Sequence, residues 1–232
     1  MPDTTARALA LWEHLARAGA QGPLTVSAVP DSLLCPPGWC GIVHLDGTTL
    51  ATAPTADLAD TLRAVLARTR PAEHTDPEVL RDALPATDVL GPATLAYLAR
   101  DDFRPRPAPG LNRRSAADPA VEALLEKAGP EEAGESGLAE LEIPLFTLTE
   151  KGAVIAAAGY EVLPEEVAHL CVLTDPEQRG RGLARAVASA AVAHALDQGL
   201  LPQWRARPAP SRRVAAALGF RELGAQLSLQ LG

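Results

Sequence analysis

From residue 141 onwards the pattern changes to three short runs rich in apolar residues, IPLFTLTE, AVIAAAGYEVL and VAHLCVLTD. They are separated by a turn at Lys151 and Gly152 and by the polar turn "PEE". Short runs bounded by turns predict three successive strands, and such short connections predict an antiparallel meander. After Gly182 the pattern changes, because LARAVASAAVAHALDQ is apolar or small nearly all round. That is the pattern of a helix buried against a sheet, here ended by Gly199. LPQWRAR then predicts a short strand, SRRVAAAL a short helix capped by Ser211 and stopped at Gly219, and AQLSLQL a closing strand.

The first hundred residues mix the two periods. Leu9, Trp12, Leu15 and Ala16 recur at helical spacing up to Gly19. LTVSAV and CGIVHLDGTTLATA read as strands, the second folded into a hairpin by its Asp-Gly pair. TADLADTLRAVLAR and DPEVLRDAL read as helices with Thr55 and Asp76 near their starts. The stretch from Asp101 to Asp118 concentrates Pro, Arg, Asp and Ser and keeps no hydrophobic period, so it is the expected linker, with a boundary near residue 110. DPAVEALLEKAG beyond it predicts a helix terminated by Gly129 and Pro130, and PEEAGESGL a shorter one. The expectation is therefore an α/β region over 1–110 and a second domain over 111–232.

Composition narrows the class of molecule. With 232 residues, 47% hydrophobic and 22% charged, the chain should fold as one large domain or two small ones. A formal charge of −8 gives no basic excess to displace counterions from nucleic acid. The N-terminus lacks the basic start and apolar block of a secretory signal, and no run reaches the ~20 apolar residues that span a bilayer. A cytoplasmic location with no membrane partner is expected. Cys35, Cys40 and Cys171 cannot all pair within the chain, and no second Cys/His pair completes a metal set around "CPPGWC". They are read as structural thiols, with no metal.

The segment DPEQRGRGLA joins the last strand of the meander to the buried helix. A strand, a glycine-rich turn and a helix N-terminus in that order gather backbone N–H groups at the positive end of a helix dipole. Gly180 and Gly182 would let phosphate oxygens approach the main chain, while Arg179 and Arg181 add charge. Neither GxxxxGK[ST] nor GxGxxG fits the segment, so nucleoside triphosphates and dinucleotides become less favoured.

What these residues resemble is the acetyl-CoA motif of the GNAT (general control-related) N-acetyltransferase superfamily, Arg/Gln-x-x-Gly-x-Gly/Ala, matched by Arg179, Gly182 and Ala184. "VLTDPEQRGRGLA" is similar to that family's strand, turn and helix, and "SRRVAAALGF" to its later helix. The resemblance covers about residues 112–232. It implies a mixed, mostly antiparallel sheet flanked by helices, preceded here by the additional N-terminal α/β region. It also implies acetyl-CoA as cosubstrate, held by the backbone of Val172, Leu173 and Thr174 and by Arg179, Gly180, Arg181, Gly182, Leu183, Ala184 and Ser211. An amine of a small molecule or a protein would be the acceptor, attacking the thioester directly.

Such chemistry needs a base, for which Glu166 and His169 are the candidates near the start of VAHLCVLTD; strand alternation puts them on opposite faces. His169 has the better ordinary pKa for the task. The family's tyrosine acid is replaced by Ala215 and an upstream asparagine by Pro208, with Tyr160 a substitute acid or a core residue. A non-catalytic acyl-CoA sensor or interaction module is thus an alternative. For residues 1–110 a degenerate GNAT-like half is a further one, and a homodimer is left open.

Overall fold

A computed structural model of the chain describes residues 3–232. Helix α1 (Thr4–Ala16) buries Ala8, Leu11, Trp12 and Ala16 on one stripe. Strands β1 (Leu24–Ala28), β2 (Cys40–Leu45) and β3 (Thr48–Ala53) follow. Asp46 and Gly47, both at positive φ, make the β2–β3 turn, whose twist suits a two-residue hairpin. Helix α2 (Ala56–Leu66) starts where the Thr55 side chain accepts from the Leu58 amide, and α3 (Pro77–Ala83) where Asp76 accepts from Glu78 and Val79. Next come β4 (Ala86–Tyr97), β5 (Leu111–Arg114), α4 (Pro119–Ala128) and α5 (Pro130–Ser136). The chain finishes with β6 (Leu145–Glu150), β7 (Ala153–Leu163), β8 (Val167–Thr174), α6 (Leu183–Asp197), β9 (Leu201–Ala206), α7 (Ala209–Leu218) and β10 (Arg221–Leu231).

Two compact units divide these elements. The first comprises residues 1–96, 205–209 and 222–232; the second comprises 97–204 and 210–221. In the first unit the strand order is β1-β3-β2-β10-β4, with β1 parallel to β3 and the β2–β3 and β2–β10 pairs antiparallel. Its core joins Ile42 of the sheet to Leu62 and Leu66 of α2, Leu80 of α3 and Leu227 and Leu229 of β10. Gly224 lets β10 press against β2, since a β-carbon there would collide with the His44 carbonyl. Thr49 bridges two histidine rings, with Nδ1 of His44 and Nδ1 of His74 each 2.8 Å from its hydroxyl.

In the second unit the order is β9-β8-β7-β6-β5. The predicted meander is present, with β6–β7 and β7–β8 antiparallel and β5 paired to the β6 edge. One face of it carries Ala157, Cys171 and Leu173 against Val121 and Leu124 of α4 and Leu138 and Leu141 beyond α5. Gly159 makes room for this packing, because a β-carbon there would lie 2.7 Å from Leu141 Cδ1 and 2.8 Å from Leu145 Cδ2. The other face takes α6, whose alanines allow a close approach and whose His194 Nδ1 meets the Tyr160 hydroxyl at 2.8 Å.

The expected α/β class with mostly antiparallel pairing is what the chain adopts. Three local readings change. A twelve-residue strand, β4, occupies ATDVLGPATLAY, where the central Gly-Pro hides the alternation. The segment read as linker contains β5, whose polar LNRR pairs only along one edge. Helix α7 begins at Ala209, so Ser211 lies inside it and does not cap it; the Ser211 hydroxyl accepts from the Trp204 indole at 3.0 Å.

Candidate active site

Strand β8 is paired along its whole length on one side only. Against β7 the register runs from Val167↔Leu163 to Thr174↔Ala156. Against β9 it consists of Val167↔Leu201, Ala168↔Pro202 and His169↔Gln203 and then stops. Past His169 the two parallel strands part, which leaves the backbone of residues 170–174 with one edge open to a ligand that can pair with it. Val172, Leu173 and Thr174 all lie on that edge.

The open edge leads into the glycine turn. Asp175 fixes its start: one carboxylate oxygen accepts from the Glu177 amide at 3.0 Å, and the other takes Lys127 Nζ at 2.9 Å. The Lys127 ammonium holds this carboxyl below the ordinary range, against the burial that opposes it. Gly180 (φ 78°) and Gly182 (φ 77°) are both left-handed, and nothing lies within 4 Å of where a β-carbon on Gly180 would stand. Gly182 is the residue before α6, whose first turn, opened by Leu183, Ala184 and Arg185, carries no acidic residue and no side-chain cap. Two buried polar atoms flank the turn in sequence without a hydrogen-bond partner, Thr174 Oγ1 before it and Arg185 Nε after it. Glycine space, uncapped helix amides and unmatched donors are what a diphosphate requires, so these residues fit the phosphate end of a CoA molecule.

The two arginines of the motif have other partners. Arg179 pairs with Glu132 of α5. Arg181 pairs with Glu150 of β6 at 2.9 Å and also reaches Gln178. A guanidinium from elsewhere in the chain also reaches the turn, that of Arg106, within the stretch read as linker: its Nη2 lies 3.7 Å from the position a Gly182 β-carbon would take. Nothing in local sequence signalled this, because the proximity is set by tertiary structure.

The candidate bases separate clearly. Glu166 precedes β8, in the exposed turn, with its own backbone left-handed (φ 56°). His169 sits in the last β8–β9 pair, where the strands part, on the same side of β8 as Cys171 and Leu173 and so on the α4 face. Its Nδ1 is 3.1 Å from Gln203 Oε1, and Gln203 Nε2 donates to the Tyr97 hydroxyl at 2.7 Å. Gln203 and Tyr97 are buried at 2% and 1% exposure, which holds the amide in one orientation. An amide oxygen facing the ring requires the proton on Nδ1, and the lone pair is then on Nε2, the form a base needs. Glu161 lies directly across the β7–β8 pair from His169 on the same face. Gln203, Tyr97 and Glu161 were not among the sequence candidates, because only the strand register brings them to His169.

Several other side chains have contacts of their own. Tyr160 is on the α6 face, opposite to His169, and burial pushes its hydroxyl pKa up. Trp204 is 5% exposed and packs edge-on against Phe220 with ring centroids 5.6 Å apart. Arg205 reaches Gln226 at 3.3 Å. Burial pushes the Cys35 and Cys40 thiols up to about 11, and Cys35 donates to the Trp39 carbonyl, so both are protonated at neutral pH. Ala215 is buried at 3% exposure in α7.

Comparisons with known proteins bear on this geometry. Residues 146–225, from β6 into β10, match the family model for GNAT acetyltransferase. No curated protein matches the chain at a significant level. Among solved structures, a GNAT-family protein from Novosphingobium aromaticivorans is 26% identical over 62% of this chain and 66% of its own, with a TM-score of 0.48. A GNAT-family acetyltransferase from Colwellia psychrerythraea is 18% identical over 67% of this chain and 60% of its own, at 0.49. A GCN5-related N-acetyltransferase-like protein from Streptococcus suis is 16% identical over 83% of this chain and 84% of its own, at 0.48. The chain thus spans somewhat under two thirds of the length of the first two. By the match over 146–225, the C-terminal half of this chain is similar to GNAT acetyltransferases.

Proposed function

We propose that the protein is an acetyl-CoA-dependent N-acetyltransferase acting on an amine of a small molecule or a protein. The observation that carries this reading is the opening between β8 and β9, which runs from His169 at its apex to the Gly180–Gly182 turn at its mouth. Acetyl-CoA, when bound, supplies a thioester whose carbonyl an amine attacks directly. The backbone edge of 170–174 takes the pantetheine arm, and the amides at the start of α6 take the diphosphate. Alkylamines are protonated at neutral pH, so the site must remove a proton before nitrogen can attack. His169 Nε2 accepts that proton; as the C–N bond forms the C–S bond breaks, the sulfur leaves with the electron pair as thiolate, and the nitrogen gives its second surplus proton to solvent. Solvent protonates it, since Ala215 offers no acid. Gln203 and Tyr97 position the imidazole without touching the reacting atoms.

Ala215 specifically favours a second reading, an acyl-CoA-binding sensor that has lost turnover. One assay separates the two: acetyl-CoA and a panel of amines, with release of free thiol as the readout and calorimetry for binding. The acetyltransferase reading expects acceptor-dependent thiol release. It also expects His169→Ala to lower kcat by about 10²- to 10³-fold with acetyl-CoA affinity unchanged. Binding without release across the panel favours the sensor, and failure to bind any CoA species removes both.

A further inference from the structure

We infer that Arg106, rather than either arginine of the glycine motif, is the cation that clamps the diphosphate of the bound CoA moiety, a reading that rests on the cofactor site proposed above. Three observations converge on it. First, its guanidinium lies flat against Gly182, with Nη2, Cζ and Nε at 3.7, 3.9 and 4.0 Å from the place of the missing β-carbon. Second, the competing cations are committed: Arg179 to Glu132, and Arg181 to Glu150. Among the described residues Arg106 makes no ion pair. Third, the backbone holding Arg106 is tied down at two points, since the Arg106 amide donates to Ser189 Oγ of α6 at 2.8 Å and the Arg104 amide to the Leu218 carbonyl of α7 at 2.9 Å.

The electrostatics of this arrangement call for an anion. A guanidinium placed at the positive end of a helix, with no carboxylate beside it, is a like-sign juxtaposition. A doubly charged diphosphate placed between them reverses the sign of both interactions, and a planar guanidinium can donate two parallel hydrogen bonds to its oxygens. Thr174 Oγ1 and Arg185 Nε, buried without partners on either side of the turn in sequence, independently leave hydrogen-bonding capacity for the same ligand. Residues 103–109 are therefore a strap belonging to the cofactor site.

The test is calorimetric titration of the full chain, as wild type, Arg106→Ala and Arg106→Lys, with CoA, dephospho-CoA and pantetheine. The Arg106 side chain is exposed and its anchor is a backbone amide, so both variants keep the strap's attachment; circular dichroism checks the fold. The clamp predicts that Arg106→Ala weakens CoA and dephospho-CoA by one common factor of about ten or more, leaves pantetheine unchanged, and is partly rescued by lysine. Unchanged CoA affinity overturns it. A loss confined to CoA also does so, by moving the contact to the 3′-phosphate, and tighter binding by Arg106→Ala would make the strap a plug. If the wild type binds none of the three ligands, the acetyltransferase reading fails on its own account. Inorganic pyrophosphate then decides the clamp: weaker binding by Arg106→Ala sustains it, and no wild-type binding ends it.

Discussion

At the scale of single residues, the two glycines of the turn answer to different demands. Gly180 and Gly182 share a left-handed backbone, which costs any other L-residue about 1–2 kcal/mol. Only Gly182 also has a neighbour where its side chain would be, the Arg106 guanidinium. Gly180→Ala is thus expected to lower stability by about 1 kcal/mol with a small effect on CoA affinity. Gly182→Ala should carry the same stability cost and a further loss of affinity of about ten-fold, as its methyl, in van der Waals contact with Arg106, fills space the diphosphate would enter. Paired thermal melts and CoA titrations check the contrast; equal affinities in the two variants would contradict it. His169 could be named as a candidate base from the strand it occupies and from its residue type, because imidazole is the side chain that titrates near neutrality. Its orientation was not legible, since it depends on Gln203 and Tyr97, residues far apart in the chain.

At the scale of elements, the loop after β8 is held by a charge rather than by packing. Lys127, near the end of α4, bonds both Asp175 at 2.9 Å and Glu177 at 2.6 Å. Asp175 has its pKa lowered in the folded state, so its contribution is fully present above about pH 4 and is lost as pH falls through the lowered value. Lys127 has its pKa raised, so its contribution is lost only at pH above the ordinary lysine value. Between those limits the tie should be constant. Lys127→Met is expected to speed amide exchange over residues 175–178 at pH 7, and wild-type exchange, corrected for its intrinsic pH dependence, should approach the variant's below about pH 4. Exchange that is identical in the two proteins at pH 7 would show that the tie holds nothing. The elements around this loop were readable because β6, β7, β8 and α6 are apolar-rich runs of strand or helix length set off by turns. β4 and β5 were not: a Gly-Pro interrupts one, and the other is a short polar strand whose only reason to be extended is the β6 edge beside it.

At the scale of the molecule, the units are not consecutive stretches of chain. The first unit takes β10 as a sheet partner of β2, and Leu227 and Leu229 are fully buried in its core. Leu229→Ala should cost about 2–5 kcal/mol, a large share of the roughly 5–15 kcal/mol that holds a typical domain together. Urea titration followed by the fluorescence of Trp12, buried in α1 of the same unit, reads that loss; an unchanged midpoint would contradict the placement of β10 in this core. Local periodicity marked AQLSLQL as a strand but carried no information on which sheet it joins, since pairing partners are chosen across the chain. The late arrival of this strand constrains synthesis. A ribosome that has finished residues 1–96 has made most of the first unit yet cannot close it, because the strand that lines β2 is translated only after all of 97–221. Throughout that interval β2 presents bare main-chain donors and acceptors, and it is the edge that a nascent chain must keep from zipping onto its neighbours.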